Sequence, residues 1–148
     1  MKSKLMVLLI LLLAIACEQV DIAKRIDIFM NAKIGEGEFS TEDGFFTFTF
    51  GNILRIEAAT PDSLWIIMEL DSADQVGIYD FSNTAKYEAF YVDSLKNSFS
   101  TKLTGLGTLE ITRLTQTTVE GTFEFTARNL TLGNRIVSEG EFSLARKE

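Results

Sequence analysis

Val119-Glu120-Gly121-Thr122-Phe123-Glu124-Phe125-Thr126-Ala127 sets apolar or small residues against polar ones at every second position. In a strand, successive side chains point to opposite faces, so this run gives one face to a core and the other to water. A helix would mix the two sets around its circumference. Thr108 to Arg113 has the same form, with Leu109 and Ile111 expected inward and Glu110 and Thr112 outward. So does the last segment, which places Ile136, Ser138, Gly140, Phe142 and Leu144 on one side and Glu139, Glu141 and Ser143 on the other.

Working towards the N-terminus, the strands become more apolar. Phe46, Phe48 and Phe50 alternate with Phe45, Thr47 and Thr49, and Gly51-Asn52 then predicts a type II′ hairpin into Ile53–Ala58. Thr60-Pro61-Asp62-Ser63 marks a turn around the only proline. Leu64 to Leu70 reads as a strand buried on both faces, because Trp65 and Ile67 are as apolar as Ile66 and Met68. Thr84 to Ser98 could be a short helix by composition, yet Tyr87, Phe90, Tyr91 and Val92 favour a strand. Asn129 to Asn134 is a loop whose Gly133-Asn134 suits a hairpin. Closely spaced strands without crossover helices predict an all-β fold, an antiparallel β-sandwich or flattened β-barrel of about eight to ten strands.

The N-terminus has a different character. Lys2 and Lys4 precede an apolar run from Leu5 to Ala16, followed by Cys17, the only cysteine. Twelve apolar residues span about 18 Å as a helix, well short of a hydrocarbon core of roughly 30 Å. The run is therefore expected to be a signal segment rather than a membrane-spanning anchor. Leu13-Ala14-Ile15-Ala16-Cys17 resembles a bacterial lipobox, in which the cysteine is diacylated and becomes the first mature residue. The expected organisation is a signal peptide at 1–16, a lipidated tether at 17–27 and a single antiparallel β domain at 28–148. Cys17 would be the lipid attachment site, fixing an exported chain to the cell envelope, with the outer membrane the expected one.

Loss of Lys2 and Lys4 leaves 12 basic residues against 21 acidic ones, a mature net charge of −9. Such a body should repel nucleic acid and anionic lipid surfaces, so no nucleic-acid partner is expected. A single cysteine allows no disulfide within the chain, which leaves burial of twelve Phe, three Tyr and one Trp to stabilise it.

Several stretches together resemble a family of small uncharacterised all-β lipoproteins of Bacteroidota. They are Phe29–Ile34 with Gly37-Glu38-Phe39, Val76–Asp80, Gly107–Arg113, Val119–Ala127 and Glu139–Phe142. The resemblance implies an envelope lipoprotein with an all-β body and carries over no catalytic or binding residue.

Chemistry is narrowed by exclusion. The chain has no histidine, which removes Ser-His-Asp and Cys-His arrangements and the usual histidine-containing zinc sites. Glycines at 35 and 37, or 105 and 107, are not followed by a helix with a lysine, and read as turns or bulges rather than phosphate loops. Glu110, Glu124 and Glu141 are expected on outward faces as solvating residues, although a carboxylate pair across a cleft would suit glycoside hydrolysis. Asp71-Ser72-Ala73-Asp74, with Asp80 or Asp93, lacks the ligand spacing of a calcium loop and is expected to cap turns. Trp65, Tyr79, Tyr87 and Tyr91 could form a stacking platform, but core burial is the commoner fate of such residues. No catalytic residue, metal or cofactor is expected, and the residues that would bind a ligand stay unassigned. The expected function is a noncatalytic module that binds a ligand, a carbohydrate or an envelope protein. The alternatives are a structural accessory subunit of an outer-membrane assembly and, less favoured, a carboxylate-based hydrolase.

Overall fold

The structure, a computed structural model, describes residues 27–83 and 85–147. The signal segment, Cys17 and most of the tether lie outside the described residues.

The described residues form eleven strands: β1 (Phe29–Ile34), β2 (Gly37–Thr41), β3 (Gly44–Thr49), β4 (Ile53–Ala59), β5 (Trp65–Asp71), β6 (Gly77–Asp80), β7 (Tyr87–Val92), β8 (Ser98–Ser100), β9 (Leu106–Leu114), β10 (Thr118–Asn129) and β11 (Gly133–Arg146). One 3-10 turn, Thr101–Leu103, follows β8. The all-β expectation holds, with a strand more than its upper count. Within the span 84–98, Tyr87–Val92 forms strand β7, as its aromatic and β-branched residues favour, a turn covers 93–97, and Ser98 opens β8.

The strands follow the order β2-β1-β11-β3-β4-β5-β7-β8-β10-β9-β6, and β10 also pairs with β11. The path from β11 through β3, β4, β5, β7 and β8 to β10 therefore returns to β11. This closed ring of seven strands is a flattened barrel, with β1–β2 attached beside β11 and β9–β6 beside β10. Two of its joins are narrow: Ala145 and Arg146 of β11 meet Phe45 and Phe46 of β3, and Arg128 of β10 meets Ser100 of β8. The β11–β3 pair is parallel, a correction to the expectation of a purely antiparallel sheet. It arises because β11 is long enough to pass β1 and reach a second neighbour at its C-terminal end.

Burial alternates as the opening stretch predicts: Val119, Phe123, Phe125 and Ala127 are buried, as are Leu109 and Ile111. They meet Phe46, Leu54, Ile56, Ile66, Met68, Leu70 and Phe99 from the opposite wall. Gly121 and Gly140 let the wall pack against itself. A Cβ on Gly140 would sit 2.6 Å from the Phe123 ring, and one on Gly121 would sit 2.1 Å from the Glu110 carbonyl oxygen.

Three local expectations are corrected. In β11 the alternation changes phase: Gly140, Phe142 and Leu144 face inward as expected, but Val137 is buried and Ile136 is 59% exposed. A β-bulge causes this, because Phe123 pairs with Gly140 while Phe125 pairs with Val137, leaving one extra residue on β11. In β5 Ile66, Met68 and Leu70 are buried, whereas Trp65 and Ile67 are only half-buried on the outer side. The β3–β4 connection has three residues between paired Thr49 and Ile53, with positive φ at both Gly51 and Asn52, where a two-residue type II′ turn needs it only at the first.

Candidate functional site

The outer face of β6, β9, β10, β11, β1 and β2 carries rows of outward polar side chains. Its rows follow from strand register. Ile78 lies opposite Glu110, Glu110 opposite Thr122, Thr122 opposite Glu141, and Glu141 opposite Asn31. One row along, Asp80 lies opposite Thr108 and Thr108 opposite Glu124. Neighbouring strands are about 4.8 Å apart, so these rows form a near-continuous sheet of carboxylates and hydroxyls.

Three adjoining hollows of about 370, 330 and 280 Å³ run along β10 on this face. The first shares Thr122 and Glu141 with the second and Glu124 with the third. Together they make an open furrow from Phe29 and Arg113 at one end to Leu106 and Ile136 at the other. Thr122 sits at its middle.

The bulge in β11 shapes this furrow. Glu139 adopts φ of 51°, a left-handed conformation unusual for a residue with a Cβ, and its side chain is turned onto the furrow wall. There its carboxylate accepts a hydrogen bond from Lys33 Nζ at 2.8 Å. That bond, with the attraction of the Glu139 charge, holds the Lys33 ammonium pKa above its ordinary value. Asn31 Nδ2 donates to Glu141 at 3.3 Å, Ser40 Oγ donates to Asn31 at 2.7 Å, and Arg113 Nη1 donates to Glu120 at 3.1 Å. Glu139 and Thr122 were not singled out by the sequence reading. No sequence signal marks Glu139, because the alternation runs unbroken through Ser138-Glu139-Gly140 and only the pairing with β10 reveals the bulge.

The opposite wall is more self-contained. Arg55 donates to Glu57 at 2.5 Å and also pairs with Glu69. Burial works against the Arg55 charge, but these two carboxylates outweigh it and the pKa moves upward. Glu88 is held by Lys102 at 2.9 Å and by Ser100 Oγ at 2.7 Å.

The aromatic residues weighed as a stacking platform form no exposed surface: Tyr79 and Tyr87 meet each other, while Trp65 and Tyr91 lie apart from that pair in the register. Tyr79 and Tyr91 are buried, and burial raises both phenol pKa values. Tyr79 donates to the Gln75 carbonyl at 2.6 Å and meets Tyr87 edge to face at 5.4 Å, while Tyr91 packs on Phe99. Trp65 lies on the outer side of β5, opposite Ala59 and Val92.

Three of the four aspartates weighed for calcium serve their own turns. Asp71 accepts from Ser72 Oγ, Asp80 from the Ser82 N–H, and Asp93 from the Leu95 and Asn97 N–H groups and the Asn97 amide. Among the described residues no group of three or more Cys, Asp or Glu side chains could hold a metal ion. Glu110, Glu124 and Glu141 do share one face, all exposed as the alternation predicts. Among the described residues no helix is long and apolar enough to cross a membrane.

No curated protein and no solved structure matches the chain. One family profile does, over residues 29–144, from the first strand to the end of the last core position in β11. That span takes in the barrel and the furrow together, and the chain belongs to the family described as a domain of unknown function (DUF6252).

Proposed function

We infer that the chain is an envelope lipoprotein of the Bacteroidota type, anchored through Cys17, whose barrel binds a partner without transforming it. The observation that carries this reading is the open furrow along β10, flanked by Glu110, Glu124, Glu139 and Glu141 and floored by Thr122. An open trough of hydroxyls and carboxylates, interrupted by the exposed Ile78, Leu106 and Ile136, can follow an extended partner with polar and apolar faces, such as a glycan chain or a cationic protein segment. Water reaches it freely, and Glu139 and Glu141 are already engaged by Lys33 and Asn31, which suits recognition better than acid-base chemistry.

An accessory role in an outer-membrane assembly, by strand addition, draws less support. The outer strands β2 and β6 have only five and four residues and carry Glu38 and Asp80, features that discourage edge pairing.

The test is capture from the native envelope by the intact lipoprotein, comparing wild type with Thr122→Trp, which fills the furrow at an exposed position. Wild type is expected to co-purify a partner that the variant loses at least tenfold. Equal capture by both would remove the furrow from the reading, and no capture by either would remove binding altogether. Labelled fatty acid retained on Cys17→Ser would refute the anchor.

A further inference from the structure

Two neighbouring loops at one end of the barrel hold leucines out into water. The turn between β7 and β8 projects Leu95, 80% exposed, and the β10–β11 hairpin projects Leu130, 78% exposed, with Leu132 beside it at 45%. Asn129 Nδ2 donates to the Ser98 carbonyl at 3.0 Å and ties the loops together. Neither loop is loose. Asp93 Oδ1 accepts the N–H groups of Leu95 and Asn97, each at 2.9 Å, and Asn129 Oδ1 accepts those of Thr131 and Leu132 at 2.9 and 3.1 Å. The leucines are therefore presented by braced turns, and folding gains nothing from their exposure.

The charge around them opposes that of the whole chain. Lys96 and Arg128 are exposed, and the Arg135 guanidinium stands over the Phe99 ring at 4.9 Å. In these two loops and the strand ends beside them Asp93 is set against Lys96, Arg128 and Arg135, an excess of cations on a chain of net charge −7. The exposed Asp62 of the neighbouring β4–β5 turn is the next acid along. At physiological salt the screening length is about 8 Å, so the carboxylates further along the furrow are felt weakly here.

We propose that this tip is a membrane-contact site that inserts Leu95 and Leu130 into the interfacial region of a bilayer containing anionic lipid, with Lys96, Arg128 and Arg135 at the headgroups. Separate leucines on convex loops fit a yielding medium better than a preformed protein pocket, and flanking cations complement anionic headgroups. The geometry is compatible with a lipidated N-terminus. Phe29 pairs with Ser143, at the far end of β11 from Gly133, a separation of about 33 Å along the strand. The segment from Cys17 to Phe29 reaches at most about 40 Å, enough for anchor and tip to meet one membrane with the barrel lying along it. The inference rests on the described loops alone and stands whether or not Cys17 is acylated.

All core residues lie between Met30 and Leu144, so the chain from residue 17 onward, with Cys17→Ser, retains the whole core and carries no lipid. This protein is to be sedimented with vesicles of phosphatidylcholine containing 30% phosphatidylglycerol and with vesicles of phosphatidylcholine alone. Binding is expected only to the anionic vesicles and should weaken as salt rises. Leu95→Ser with Leu130→Ser should cut the bound fraction at least tenfold, and Lys96→Gln with Arg128→Gln at least threefold, all with unchanged melting temperatures. A folded wild type that ignores anionic vesicles overturns the proposal, as does a double-serine variant that binds equally well. Loops that hold a protein partner while wild type stays off the vesicles also overturn it.

Discussion

Gly121 and Gly140 are places where a hydrogen in place of a side chain decides whether the wall closes. A methyl at Gly140 would press into the Phe123 ring and carbonyl, and one at Gly121 into the Glu110 backbone, neither able to move cheaply. Gly133 differs: its φ of 79° disfavours a Cβ, but nothing lies within 4 Å of one. Gly140→Ala and Gly121→Ala are each expected to cost about 1–3 kcal/mol by overpacking. Gly133→Ala should cost about 1 kcal/mol from backbone strain alone. Urea denaturation of the three variants checks this, and equal costs would contradict the packing account. These positions read from sequence only as small residues on an inward face. That Phe123 and Phe142 occupy the space beside them is set by strands distant in the chain.

The connections carry information at the scale of the element. Asp93 holds the β7–β8 turn by accepting from the Asn97 side chain and from the N–H groups of Asn97 and Leu95. Led by the Asn97 side-chain bond, these keep its carboxyl pKa below the ordinary value. A pKa depressed in the folded state adds stability above the unfolded carboxyl pKa of about 3.9, and that stability is lost as pH falls through the folded value. Asp93→Asn should therefore lower the denaturation midpoint at pH 7, with the gap to wild type narrowing at pH 3. A constant gap would mean that the charge has no part in bracing the turn. The aspartates as turn-capping residues were legible from their neighbours in sequence, since capping acts over two to four residues. The bulge at Glu139 was not, because a bulge is defined by what lies opposite it on β10 and β1.

At the scale of the whole molecule, closure of the ring depends on a short seam. Ala145 and Arg146 pair with Phe45 and Phe46, Lys147 N–H donates to the Phe46 carbonyl at 2.9 Å, and Arg146 N–H donates to the Thr117 carbonyl at 3.0 Å. Lys147 Nζ stands over the Phe45 ring at 3.9 Å and the Arg146 guanidinium over Phe48 at 5.6 Å. Removing residues 145–148 deletes these contacts and should cost about 2 kcal/mol. Hydrogen exchange in β3 should quicken while the β9–β10 centre stays protected, because its long pairing is untouched. Loss of protection throughout would show that the seam governs the entire fold.

The amino-acid order alone determined the strand content, the inward and outward faces of β9 and β10 and the outward placement of Glu110, Glu124 and Glu141, because the two-residue period is a local property of the backbone. Tertiary structure decided that the sheet closes on itself, that β11 runs parallel to β3, that Tyr79 and Tyr91 are buried while Leu95 and Leu130 stand out on neighbouring loops, and that the carboxylates border one furrow. Those outcomes depend on which strands become neighbours, and pairing between residues as far apart as Phe29 and Ser143 leaves no periodic mark on either partner.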